Sequence, residues 1–432
     1  MAPWLFLVAS VIGAVFTLNA YRPSHRWQLL GASFFAGWFT GELALFHLVW
    51  QLAATVVFVS LGALGAWPGW VGLGISLASW AGLIGLQAIS LRSLYVIEQA
   101  LKDGLGDDYA EEIGPGMTER LARRVNWRRL ALPFYLRDRR VERVRNIQYA
   151  PGAGRRHRLD VYRPRAGAEK APVLLQIHGG AWVIGDKGQQ GLPLMLHLAA
   201  QGWVCVANNY RLSPRSKFPD HLVDCKLALR WVREHVAEYG GDPDFVVVTG
   251  GSAGGHLSAQ LALTAGDPEY QPGFESVDTS VAACVPFYGV FDLVEMMSYQ
   301  GGPRHGGEAF EKMFMGTTIA ADRAAFERAS PITRVHADAP PFFVVHGDAD
   351  NLVPVTQARR FVERLRAVSP EPTLYAEIPG ASHAFEVFHS VRTANSVLGV
   401  ERFLAWLHSA YQARHPEIPA EPANEPEAAA SS

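Results

Sequence analysis

The chain is 432 residues long, room for two or three structural units, and its formal net charge of -2 gives no global reason to expect a nucleic-acid partner. Cys205, Cys225 and Cys284 are scattered without paired or metal-type spacing, which argues against a disulfide framework or a cysteine zinc site and for small core residues. Composition shifts along the chain: an apolar first part rich in Trp, Gly and Leu, a basic stretch, an ordinary globular part, and a Pro/Ala/Glu-rich end.

Pro3 to Asn19 is apolar and uncharged, near the ~17–25 residues that cross a bilayer core. No Lys or Arg precedes it, as a cleaved signal peptide would require. Leu43–Leu64 and Gly69–Leu91 are two further candidates, and Trp67 and Trp70 flank the Pro-Gly turn between them as interfacial aromatics do. The reading is a multi-pass region over 1–91, with spans at 3–20, 43–64 and 69–91. Leu29–Gly41 is apolar but short, and reads as an interfacial helix or an extension of the second span. Arg22 and Arg26 follow the first span, Arg92 and Lys102 follow the third, and the intervening turn carries no positive charge. The positive-inside rule then puts the N-terminus outside and the remainder on the cytoplasmic side. Glu42 and His47 fall near or within the second span, and read as helix-end or helix-facing groups ahead of functional ones.

Between Arg120 and Arg145 ten arginines stand against Asp138 and Glu142, interleaved with Leu121, Val125, Leu130, Phe134 and Tyr135. This marks 92–143 as a basic amphipathic connector, suited to anionic headgroups or to packing its apolar side on the next domain.

From about Val144 short apolar runs alternate with helical spacing. Strands are predicted at Asn146–Ala150, Leu159–Arg163, Val173–Ile177, Val204–Ala207, Phe245–Thr249, Val281–Tyr288, Phe342–His346 and Thr373–Ile378. Helices fit Leu192–Gln201, His221–Tyr239 and Gln357–Val368. The alternation predicts an α/β fold over 144–411, a mostly parallel sheet with helices on both faces. In such sheets chemistry collects at the carboxyl ends of the strands. The Met- and Phe-rich stretch 289–330 interrupts the pattern as a cap, in which Met296, Met297, Phe310, Met313, Phe314 and Met315 either line an acyl pocket or form cap core. Residues 412–432 read as a disordered tail.

The strand ending at Thr249 runs into Gly250-Gly251-Ser252-Ala253-Gly254, which spells G-x-S-x-G, the nucleophile-elbow pattern. A serine pushed out on a tight strand-to-helix turn needs neighbours with little side chain, hence Gly250 and Gly254. A phosphate loop competes poorly, because no G-K-[ST] follows. The strand at 173–177 ends in His178-Gly179-Gly180-Ala181-Trp182, whose glycine pair lets backbone N–H groups point at a developing oxyanion. The strand at 342–346 ends in His346-Gly347-Asp348-Ala349-Asp350, and the last strand runs into Ser382-His383. Serine, aspartate, histidine is the chain order of an α/β-hydrolase triad. Of the histidines beyond the aspartates, His383 alone occupies a strand-to-helix loop. Asp350 is favoured over Asp348, since it lies deeper in the loop; Asp348 reads as a brace.

At these residues the sequence resembles the bacterial hormone-sensitive-lipase-like esterases of the α/β-hydrolase fold. The resemblance extends through Gly185-Asp186, Asn209-Tyr210-Arg211-Leu212-Ser213-Pro214, Asp224 and Gly380–Phe385, and covers roughly Val144 to Tyr411. Ala181 departs from the pattern, standing where many members have a third glycine. The resemblance implies that Ser252 attacks an ester carbonyl, that His383 shuttles the proton, and that Asp350 holds the imidazole. It implies oxyanion donors at Gly179, Gly180 and Ala253, a bracing role for His178, and no cofactor or metal. Expected partners are a small-molecule or lipid ester and membrane lipids. Carbohydrate acetylesterases and prenylcysteine methylesterases share the His178–Trp182 motif and remain alternatives, as does a membrane scaffold carrying an idle hydrolase domain.

Overall fold

A computed structural model describes residues 1–24, 26, 28–122, 125–299 and 307–416. Eight strands form one sheet: β1 (Val141–Gln148), β2 (Arg158–Pro164), β3 (Ala171–Ile177), β4 (Val204–Asn208), β5 (Gly241–Gly251), β6 (Ala283–Phe287), β7 (Phe342–Gly347) and β8 (Thr373–Ile378). Their order is β1-β2-β4-β3-β5-β6-β7-β8. β1, β2 and β4 pair antiparallel, and every pair from β4–β3 onward is parallel. β3 is buried at every position, as a strand covered on both faces must be. One apolar cluster fills each face of the sheet, the first around Val248, Leu257 and Phe361, the second around Val247, Phe343 and Phe403. The expected mostly parallel α/β sheet is therefore present, with one shift: β1 starts at Val141, inside the stretch read as connector. Arg143 is drawn into the fold there by a 2.6 Å ion pair to fully buried Asp160.

The N-terminal part forms α1 (Ala2–Tyr21), α2 (Leu30–Glu42), α3 (Ala44–Ser60), α4 (Trp67–Leu91) and α5 (Ser93–Leu105). Small residues let α1 and α4 approach closely, and hydroxyl pairs Thr17–Ser79 (2.8 Å) and Ser10–Ser76 (2.9 Å) join them. Val8, Val15, Val56, Val57 and Ile84 stay exposed on the outside of this group. Two helices, 2–21 and the nearly continuous 67–105, are long and apolar enough to cross a membrane. α2 and α3 add a third crossing only if together they make one, for they bend by 91°. Leu29–Gly41 thus forms a separate helix, bent sharply from the one that follows. Past Leu91 the chain runs directly into the core of the sheet domain: Ile97 and Leu101 of α5 are buried in the second sheet-face cluster.

The cap stretch contains helices Leu293–Tyr299, Gly307–Phe314 and Arg323–Arg328, while 300–306 lie outside the described residues. Met296, Met297 and Phe314 are buried in the main core, and Trp182 stacks on Phe314 at 4.2 Å. These three are core residues. The last helix reaches Arg414, so 412–414 continue it where a tail was expected, and 417–432 lie outside the described residues.

Candidate active site

The strand β5 drives Ser252 onto a turn with φ 58° and ψ −121°, a region L-residues rarely adopt. Neighbours hold it there. A side chain on Gly250 would strike Gly254, and one on Gly254 would strike the Ile177 carbonyl, so both positions need glycine. The Ser252 N–H donates to the Phe287 carbonyl at 3.0 Å, which ties the turn to β6. Ser252 itself is half-buried and heads the helix Ala253–Leu263, whose first N–H groups have no intrahelical acceptor.

The turn after β3 lies alongside. A Cβ on Gly179 would come 3.2 Å from Ser252 Cβ. The Gly179 N–H, however, donates to Gln190 Oε1 at 2.6 Å. As it stands, the expected Gly179 donor is engaged by this side chain. Among the described residues the Gly180 N–H has no such acceptor, and Gly180 takes a φ of 115° that aims its backbone differently from its neighbour's. Gly180 and Ala253 are the other two positions expected to supply donors. His178 is scaffold: its Nδ1–H donates to Gly179 O at 2.7 Å and its ring stacks on Tyr210 at 4.4 Å. Burial lowers it to about 4, so it is a neutral ring at working pH. His256 is likewise neutral, pulled to about 4 by burial, accepting from Trp182 Nε1 and donating to Ala329 O.

At the far end of the rim, His383 Nδ1 meets Asp350 Oδ2 at 2.6 Å. Both groups are buried. Asp350 Oδ1 accepts the N–H groups of Leu352 and Val353, each at 2.8 Å, and His346 Nε2 lies 3.3 Å from Oδ2. Burial alone would raise this carboxyl; His383 and the hydrogen bonds outweigh it and hold it well below the usual carboxylate range. Among the described residues Asp348 accepts only the Gly380 N–H, at 2.6 Å, and burial raises its carboxyl: a brace between the two loops.

Tyr288 connects the halves of the site. Its ring packs on His383 at 4.5 Å, and a side chain on Gly251 would come 2.6 Å from its hydroxyl. That hydroxyl donates to Glu386, a buried carboxyl pushed up to about 6 by desolvation. No hydrogen bond joins the Ser252 hydroxyl to His383 among the described residues. Since Asp350 occupies Nδ1, the Nε2 of His383 is the nitrogen left for the serine.

Sequence reasoning missed Gln190, His346, Tyr288 and Glu386. His346 and Glu386 lie within four residues of the assigned aspartate and histidine, a usable signal. Gln190 and Tyr288 carried none, because only the packing of β3 against β5 and of β6 against β8's loop brings them in. It also missed the buried pair Glu42–Arg392, discussed below.

A family model described as BD-FAE matches residues 159–365. The probable carboxylic ester hydrolase LipM of Mycobacterium tuberculosis is 42% identical over 422 residues, covering 94% of each chain. The chain belongs to the hormone-sensitive-lipase-like esterases of the α/β-hydrolase type. Its class is that of the carboxylic ester hydrolases. Esterase LipQ of the same organism is 42% identical and covers 76% of this chain and 78% of its own. Among solved structures, a truncated carbohydrate esterase from gut microbiota superposes with a TM-score of 0.52 at 26% identity, over 61% of this chain and 96% of that one. The kinship with LipM runs through the N-terminal helices as well as the sheet, since so little of either chain is left uncovered.

Proposed function

We propose that this protein is a membrane-anchored serine carboxylesterase that cleaves lipid or small acyl esters through Ser252, His383 and Asp350 and an acyl-enzyme. The observation that carries the reading is the 2.6 Å Asp350–His383 bond at one rim with a strained, half-buried serine. Ser252 Oγ attacks the carbonyl carbon while Nε2 of His383 takes its proton. The tetrahedral oxyanion forms against the N–H groups of Gly180 and Ala253, where one lost donor costs on the order of 10²–10³ in rate. As the intermediate collapses, His383 hands the proton to the leaving alcohol, and water repeats the sequence on the acyl-serine. Asp350 fixes the tautomer with Nε2 free and stabilises the imidazolium. The Ser252–His383 hydrogen bond closes when substrate fills the site, as catalytic hydrogen bonds commonly do.

Anchoring is supported by the outer faces of α1, α3 and α4, which are apolar and exposed. In this reading 1–91 is the anchor, 92–143 the connector and 144–411 the hydrolase. Arg22 after α1 and Arg92 after α4 line one cleft with Asp348 and Gly380, so the basic ends of two candidate spans share the hydrolase side. That supports a cytoplasmic hydrolase. The test is a fluorophosphonate probe: wild type is labelled and Ser252→Ala is not, whereas an idle scaffold gives no label in either. A reporter fused after residue 102 reads the side; a periplasmic signal refutes the three-span arrangement.

A further inference from the structure

We infer that α2, a helix of the N-terminal apolar region, forms the acyl-binding wall of the site and takes the alkyl chain of an ester drawn from the bilayer. This rests on the serine-esterase reading above. Three observations point to it. First, α2 lies against the histidine loop: the Phe34 ring is 6.3 Å from the His383 ring at 70°, and a Cβ on Gly37 would come 3.9 Å from Ser382 Oγ. Second, it is fastened there. Glu42 and Arg392, both fully buried, pair at 3.1 Å; Ser390 donates to Glu42 at 2.7 Å, and Arg392 also donates to the carbonyls of Gly41 and Pro379. Third, the surface it presents is aromatic. Phe34 stacks on Trp38 at 5.5 Å, Trp38 meets Phe388 at 5.2 Å, and Phe388 meets Phe134 of the connector at 5.0 Å.

The occupant follows from the chemistry and the position. Glu42 is the one ionisable residue of α2 and is paired with Arg392, so the wall offers no free charge; its buried polar atoms without a hydrogen-bond partner among the described residues are the Trp38 indole N–H and the Thr40 hydroxyl. Ser33 and Asn19 satisfy each other. Phe35 and Phe134 remain 56% and 60% exposed, an apolar path that continues the outer surface of the neighbouring apolar helices. Of the rival acyl-pocket candidates in the cap, Met296, Met297 and Phe314 are packed core. The 91° bend sets α2 nearly at right angles to α3.

The experiment uses the full-length protein in lipid nanodiscs and an alkyl fluorophosphonate of about ten carbons with a terminal diazirine. After Ser252 is labelled, light cross-links the chain end to whatever lines it, read by mass spectrometry. Cross-links on residues 34–39, 134 or 388 are expected. A Ser252 adduct with cross-links confined to 293–315 overturns the wall and leaves the esterase reading standing; no adduct on Ser252 overturns both. A second measurement is the ratio of kcat/KM for octanoyl over acetyl p-nitrophenyl esters. Phe34→Ala should lower that ratio about tenfold, the effect of losing one or two methylenes' worth of contact. A loss that is equal for both esters assigns Phe34 to His383 packing alone and overturns the proposal.

Discussion

The loops after β7 and β8 each deliver a buried carboxyl to the neighbourhood of His383, and the two are held in opposite states. Asp350 collects two backbone N–H groups and two imidazoles, and stays far below its ordinary pKa. Glu386 has the Tyr288 hydroxyl as its side-chain partner, with the Glu42 carboxylate adding repulsion, and is pushed up to about 6. Burial is almost the same for both. The lesson is that donor count, not depth, decides which carboxyl can carry charge beside the imidazole. Only the first is equipped to stabilise an imidazolium.

The sharpest way to break this contrast is to disarm each carboxyl in turn. We expect Asp350→Asn to lower kcat about 10⁴-fold, the cost of a wrong tautomer, with Asp348→Asn within about tenfold in the same p-nitrophenyl ester assay. Equal losses would put the charge on the wrong aspartate. Next in size is the fastening beside Glu386. Arg392→Leu strands the Glu42 carboxylate and should cost about 3–5 kcal/mol, whereas Glu42→Leu with Arg392→Leu should regain most of it; denaturant midpoints in detergent compare the three. If the double variant is as unstable as the single, the pair is not what holds α2.

Glu386→Gln sharpens the other side. A folded pKa of about 6 lies above the ordinary 4.5, so Glu386 contributes stability below pH 4.5 that is lost as pH rises through 6. Wild type should therefore lose about 2 kcal/mol more than the variant from well below pH 4.5 to well above pH 6. Parallel stability curves would show that folding leaves the Glu386 pKa unchanged. The smallest effect is expected for Gln190→Ala. Because Gly179 N–H is spent on Gln190, the change in kcat should stay within about tenfold; a loss of 10² or more would tie that bond to the oxyanion site.

Much of the sheet was legible in the sequence, because parallel strands buried on both faces read as short, unbroken apolar runs, as at Val173–Ile177 and Phe342–His346. The elbow was legible because crowding leaves few residues that fit around Ser252. What escaped was set by long-range packing. Nothing local told that Gln190 would take the Gly179 N–H, or that Tyr288 would lie between Gly251 and His383. Glu42 was read as a helix-end group, and it is one; its partner stands 350 residues later at the start of the last helix. A lone acid in an apolar stretch signals that a partner exists without saying where. The Met-rich cap left both readings open for a related reason, since methionine fills cores and lines pockets equally well.

The Glu42–Arg392 pair also governs how the protein can be handled. A soluble fragment started near residue 140 would discard the acid and keep the guanidinium sealed among the hydrolase helices, along with the Gly41 carbonyl it leans on. Ile97 and Leu101 would leave the sheet's flank bare at the same stroke. Trimming for crystallisation or expression therefore belongs at the C-terminal end, beyond Arg414, because the apolar helices are part of what keeps the esterase half folded.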